Sequence, residues 1–183
     1  DETGTLVDQT GGQADLEAGH IRATSDWAFH DDPVRLLRAV RIEAQLDFEI
    51  EPQTVAWVRR DAPLLTTPAA ERVRDEFART LATQSAALHL QRLDELGLLP
   101  HVVPELELLK GITQSPPHRF DVWHHTLVTV DALEGVVAAV TGQKVGPCAL
   151  ADGPPAVWGD LARVLGQFAP DVRAHLAVET SGG

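Results

Sequence analysis

A mostly α-helical chain is expected, on three observations. A polar residue precedes proline at Asp32-Pro33, Glu51-Pro52 and Thr67-Pro68. That is how helices begin, because proline at the first helical position lacks only an N–H that would be unpaired there anyway. Apolar residues then recur every third or fourth position, which gathers them on one helical face. Strand signals are scarce, with only Thr5–Val7 and His20–Ala23 reading as short extended pieces.

Taken in order, Asp32-Pro33 predicts a helix with Leu36, Leu37, Val40 and Ala44 on its apolar face, ending near Asp47. Glu51-Pro52 opens a second, with Val55 and Val58 on one side, closed by Asp61-Ala62-Pro63. Thr67-Pro68 starts a third, carrying Val73, Phe77 and Leu81. Ser85 caps a fourth with Leu88, Leu93 and Leu96, and Gly97 supplies a left-handed stop. Residues 98–117 read as an irregular connector, and Phe120–Val140 as another helix. Residues 142–155 are rich in Gly and Pro and read as a loop, before two short helices at Ala156–Gln167 and Pro170–Glu179.

The 183 residues suffice for one large domain or two small ones, and 44% are hydrophobic, so a core is available. No apolar run approaches the ~20 residues that span a bilayer. The single cysteine, Cys148, excludes an intrachain disulfide and a multi-cysteine metal site, which fits a reducing cytoplasm. It has no basic neighbour nearer than Lys144, so nothing marks an activated thiolate. The chain contains no methionine and closes on Ser181-Gly182-Gly183, so both ends are read as cuts in something longer.

A net charge of −12 argues against indiscriminate nucleic-acid binding, which depends on neutralising phosphates. Nine of the fifteen Lys and Arg nevertheless lie between Arg35 and Arg92, which suits a confined RNA contact or, equally, a solvated helix face.

The chemistry concentrates in Phe29-His30-Asp31-Asp32-Pro33-Val34-Arg35-Leu36-Leu37-Arg38-Ala39-Val40-Arg41. On one continuous helix, Asp31, Asp32, Arg35 and Arg38 would share an arc opposite Leu36, Leu37 and Val40, with Arg41 at its edge. A carboxylate accepts from an exocyclic amino group, which cytosine and adenine both carry, and an arginine donates to the ring acceptor beside it. Such a pair reads C or A and rejects U and G, while further arginines hold a triphosphate. By pattern alone the same residues serve equally as an N-cap, a helix-dipole partner and surface ion pairs.

The run Asp8-Gln9-Thr10-Gly11-Gly12-Gln13-Ala14-Asp15-Leu16, then Ile21-Arg22, Phe29 through Arg41, and Leu46-Asp47-Phe48-Glu49-Ile50 resembles the class II tRNA nucleotidyltransferase/poly(A) polymerase family. There a D-x-x-x-G-x-x-D-L element joins head to neck, and an E-D-x-x-R element is the amino-acid template for incoming CTP or ATP. The resemblance implies that Asp32 and Arg35 read the base and that Arg38 and Arg41 also bind nucleotide. Asp31 stands where the family has glutamate. Ala70-Glu71-Arg72-Val73-Arg74-Asp75-Glu76-Phe77 is similar to the neck helix that braces the template, so its residues are read as structural. Leu93-Asp94-Glu95-Leu96-Gly97-Leu98-Leu99 resembles the RNA-binding body. The similarity runs from about Leu6 to Thr126.

The resemblance implies residues 1–28 as a linker from a head domain, 29–115 as a helical neck and body, and 116–183 as a partial HD-like helical region. The family's G-G-x-x-R-D loop and D-x-D carboxylates, which hold Mg2+, have no match here. The expected role is therefore to select CTP and ATP for CCA addition to tRNA, with no catalytic residue and no metal site in this stretch. Poly(A) polymerase, a CC- or A-adding specialist, and a non-catalytic helical RNA-binding module remain the alternatives. Pro117-His118-Arg119-Phe120-Asp121-Val122-Trp123-His124-His125-Thr126-Leu127 resembles the opening of an HD phosphohydrolase domain, with His125 matching its first ligand but no later His-Asp pair following. His118, His124 and His125 are read as helix-start or packing residues.

Overall fold

Proline and glycine set most element boundaries. The computed structural model describes residues 7–115, 119–141, 150, 163–164, 166–171 and 174. Its elements are α1 (Gly12–Ala18), β1 (His20–Ile21), α2 (Ala28–Asp31), α3 (Arg35–Leu46), β2 (Glu49–Ile50), α4 (Pro52–Asp61), α5 (Ala70–Leu81), α6 (Ala86–Glu95), α7 (Leu99–Val102) and α8 (Val122–Thr141). Short 3-10 turns follow α4 (Ala62–Thr66) and α7 (Pro104–Leu109). The fold is mostly α, as the punctuation predicts. Among the described residues no helix is long and apolar enough to cross a membrane.

The chain divides into two compact units, Asp1–Gln84 with His89–Leu108, and Ser85–Leu88 with Leu109–Gly183. The first unit is built around α3. Leu36, Leu37 and Val40 are fully buried, as their spacing predicts, and Phe29, Val34, Val58, Leu65, Leu93, Leu96, Leu98 and Leu99 complete the core. α3 ends at Asp47, which adopts the left-handed conformation (φ 55). Gly19 ends α1 at φ 69, with the Phe48 ring packed against the position a Cβ would take. β1 and β2 pair in parallel, with the Glu49 N–H donating to Gly19 O (2.8 Å) and the Glu51 N–H to Ile21 O (3.0 Å). Glu43 of α3 accepts two bonds from Arg92 of α6, each 2.9 Å, and one from the Ile50 N–H, tying three elements together.

Several boundaries differ from the sequence reading. The helix expected from Asp32-Pro33 to near Asp47 is α3, which begins at Arg35; Asp32 before it is extended (φ −150, ψ 96), and a separate turn, α2, ends at Asp31. The cause is local, because the ring of Pro33 crowds the residue before it and disfavours the α conformation there. α5 begins at Ala70 rather than at Thr67-Pro68, since Thr67 closes the preceding 3-10 turn. Its buried face carries Glu76 and Thr80 beside Val73, where Phe77 and Leu81 were expected. Ser85 precedes α6 as expected but at φ 66, not in an N-cap conformation, and Leu88 is exposed while Ala87 and Leu90 are buried. The connector after Gly97 is more regular than expected, with α7 and a 3-10 turn.

In the second unit, α8 buries Trp123 and Leu127. Asp121 caps it, accepting from the His124 N–H (2.8 Å) and from the Gly111 N–H (2.9 Å). Those backbone bonds hold the Asp121 carboxyl below the usual carboxylate range. His124 rests on the Phe120 ring, with centroids 4.3 Å apart. Thr5–Leu6, His118, Cys148 and most of the expected loop 142–155 and of the expected helices Ala156–Gln167 and Pro170–Glu179 lie outside the described residues. Among the described residues, no group of three or more His, Cys, Asp or Glu is placed to hold a metal ion.

Candidate nucleotide-template site

Asp32, Arg35, Arg38 and Arg41 lie where α2, α3 and α5 meet in the first unit. Asp32 occupies the extended link at the entrance to α3, and its carbonyl accepts from the Arg35 N–H at 3.0 Å. Its carboxylate does not pair with Arg35, as the sequence alone suggests. It pairs with Arg72 of α5, whose Nη2 lies 3.0 Å from each oxygen. Partial burial pushes the Asp32 carboxyl up, but the Arg72 hydrogen bonds and charge, the Val34 N–H and the Arg35 charge together outweigh it. Asp32 therefore titrates below the ordinary aspartate range and is ionised, hence acceptor-only, at neutral pH.

Arg35 begins α3 and is exposed. One of its five N–H groups is used, with Nη1 donating to Ala28 O of α2 at 3.1 Å. Arg38, one turn on, lies 3.5 Å through Nε from Glu76 Oε1. Arg41 donates from Nε to the same oxygen (2.6 Å) and from Nη1 to Gln45 Oε1 (2.5 Å). Glu76 is buried, its side chain 5% exposed, and so holds two guanidiniums from below. Asp31, by contrast, ends α2 and is exposed, off the arc that a continuous helix would give it. A separate cleft of about 280 Å³ in this unit, lined in part by Asp15, Leu16, Arg22, Ile42 and Leu46, includes none of the four template residues.

Arg72, expected as part of a bracing helix, pairs directly with the Asp32 carboxylate, a specific partnership that the sequence reading did not name.

Comparison with known proteins agrees with this architecture. Residues 47–109 match the family model described as "Probable RNA and SrmB- binding site of polymerase A". The chain is 38% identical over 146 residues to the multifunctional CCA protein of Chromobacterium violaceum, covering 78% of this chain and 34% of that protein. It is 42% identical over 125 residues to the A-adding tRNA nucleotidyltransferase of Deinococcus radiodurans, covering 66% of this chain and 29% of the relative. A solved tRNA-processing enzyme in an apo form superposes on 73% of the chain and 35% of its own length, with a TM-score of 0.57 and 26% identity. The chain spans about a third of the length of the curated relatives it matches. By these matches the chain belongs to the class II tRNA nucleotidyltransferase/poly(A) polymerase family.

Proposed function

We propose that this chain selects CTP and ATP for template-independent addition of CCA to the 3′ ends of tRNA in the cytoplasm. One observation carries the reading: an ionised Asp32 held at the entrance of α3, with Arg35 beside it and Arg38 and Arg41 along the same helix.

The chemistry follows from counting donors and acceptors. A carboxylate has about four lone-pair directions. Arg72 and the Val34 N–H occupy some of them, and the remainder can accept from the exocyclic amino group of C or A. Arg35 keeps N–H groups for the ring nitrogen alongside. Uracil and guanine present the reverse order, a carbonyl facing the carboxylate and an N–H facing the guanidinium, and are repelled on both counts. Arg38 and the unused N–H groups of Arg41 face the triphosphate.

Bond formation belongs elsewhere. Nucleotidyl transfer needs carboxylates holding divalent ions that activate the 3′-hydroxyl and stabilise the leaving pyrophosphate. Residues 1–183 match none of the family's carboxylates for that task, so in this reading Mg2+ is held by a head domain and this chain alone transfers nothing. The amino-group reading suits C and A alike, so an A-adding or poly(A) enzyme is the second reading, favoured by the similarity to the A-adding Deinococcus protein. Within it, residues 29–115 are the selecting and RNA-binding body and 116–183 an HD-like region.

The test is incorporation of labelled CTP, ATP, UTP and GTP onto tRNA lacking its 3′ end by the full-length gene product. Addition of C and A alone is expected, with base choice collapsing in the Asp32→Ala, Arg35→Ala double variant. Addition of A alone would favour the second reading. Unchanged base choice in the double variant would return these residues to a structural role.

A further inference from the structure

The template pair is aimed by a single helical turn. α2 comprises four residues, Ala28–Asp31, and carries both the carbonyl that receives Arg35 and the link into Asp32. One turn cannot hold itself, because its first hydrogen bond must fix about six dihedrals. Its geometry must therefore be imposed by neighbours, and Ala28 and Phe29 supply part of this by burial.

The rest comes from the end of α4. Asp61 is buried at 3% exposure, and Arg60 grips it in a two-pronged fork, Nε to Oδ1 at 2.8 Å and Nη2 to Oδ2 at 2.7 Å. The same Arg60 reaches Asp26, two residues before α2, bonding its carbonyl oxygen at 3.0 Å and pairing with its carboxylate. His30 closes the arrangement from within α2, its Nε2 lying 3.2 Å from Asp61 Oδ1. The His30 ring also rests against Trp27, with centroids 4.9 Å apart. The turn is thus fixed at its entry by Arg60 and within its length by His30, both through one buried carboxylate.

We infer that His30, held by the Asp61–Arg60 pair, is a positioning residue for base selection: it sets the α2 turn whose carbonyl aims Arg35 and whose end places Asp32. This rests on the proposed template function. In this arrangement His30 and Asp61 act through α2 rather than as nucleotide contacts. A displacement of about 1 Å in a positioned group can cost roughly a hundredfold, and His30 acts at one remove, so its loss is expected to cost about tenfold in discrimination.

The experiment measures kcat/KM for CTP against UTP, and for ATP against GTP, in the full-length gene product. His30→Phe keeps a ring against Trp27 and removes the bond to Asp61. It is expected to lower both discrimination ratios about tenfold. His30→Gln, whose amide nitrogen falls near the lost Nε2, is expected to restore them. If His30→Phe discriminates as wild type does, or if His30→Gln fails as badly as His30→Phe, the inference is overturned. Should His30→Phe not accumulate folded, His30→Asn, whose amide falls short of Asp61, reads the same contact: lower ratios support the inference and unchanged ratios overturn it. The Asp32→Ala, Arg35→Ala double variant, run alongside, separates the two levels. If it leaves base choice intact, the template reading itself fails. If it abolishes choice while His30→Phe leaves both ratios at the wild-type value, only the role of His30 falls.

Discussion

Glu76→Ala is expected to destabilise the first unit by about 2–3 kcal/mol and to weaken binding of all four nucleotides alike. Removing one partner of a fully buried ion pair costs roughly 3–5 kcal/mol, because the opposite charge is left unpaired away from water. Here the Glu76 side chain is 5% exposed, but its partners Arg41 and Arg38 are 17% and 42% exposed and recover some hydration. The expected cost is therefore set below that range. The functional effect follows from the same geometry: without Glu76, Arg38 and Arg41 lose the oxygen that aims them along α3. In the proposed reading they meet the triphosphate, which every nucleotide shares. KM should rise for C, A, U and G by similar factors while the preference for C and A survives. Denaturant melts together with KM values for each nucleotide check this. A variant that changes base preference instead would mean that Glu76 acts on Asp32 and Arg35.

The second large effect lies in the core beneath the site. Leu37 is fully buried on the face of α3 opposite the arginines. Leu37→Ala deletes buried methyl groups and leaves a cavity, for which measured costs run at roughly 2–5 kcal/mol. Leu46, on the same helix but 52% exposed, serves as the control, with Leu46→Ala expected to change stability by less than about 0.5 kcal/mol. In urea, the midpoint should fall for Leu37→Ala with its slope unchanged, and Leu46→Ala should overlay wild type. Equal effects at the two positions would show that α3 does not bury the face assigned to it.

What could be read from the sequence, and what could not, divides along distance in the chain. The helix opening at Pro52, the left-handed stop at Gly97 and the buried trio Leu36, Leu37 and Val40 follow from local rules, and the structure has them there. The helix expected over Phe120–Val140 is observed two residues later, from Val122. Asp32-Pro33 was local as well, but two rules competed. Proline favours the first position of a helix, yet it also forces the residue before it out of the α conformation. The second effect breaks the helical path between Asp31 and Arg35, so Asp31 is off the arginine arc. Partners far along the chain left no periodic trace. Arg72 reaches Asp32 across forty positions, and Arg60 reaches Asp26 across thirty-four. The β1–β2 pairing was half legible: His20–Ala23 read as extended, whereas Glu49–Ile50 did not. The polar inner face of α5 escaped because periodicity counts apolar residues, and here Glu76 and Thr80 take the buried positions. The four candidate template residues were picked out by ordered motif resemblance, since helical spacing alone favoured a capped surface helix.

The most direct measurement of the central claim is the ratio of CTP to UTP incorporation by the full-length gene product carrying Asp32→Asn. In the wild type, Arg72 and its neighbours keep Asp32 ionised at neutral pH, so it can only accept. An asparagine of nearly the same shape offers an N–H₂ as well as a carbonyl, and can donate to the uracil oxygen that the carboxylate repels. If Asp32 reads the base, the preference for CTP over UTP should fall by about tenfold or more, the scale of one lost or gained discriminating hydrogen bond of about 1–3 kcal/mol. A preference unchanged in Asp32→Asn, with normal folding and normal overall incorporation, would contradict the account.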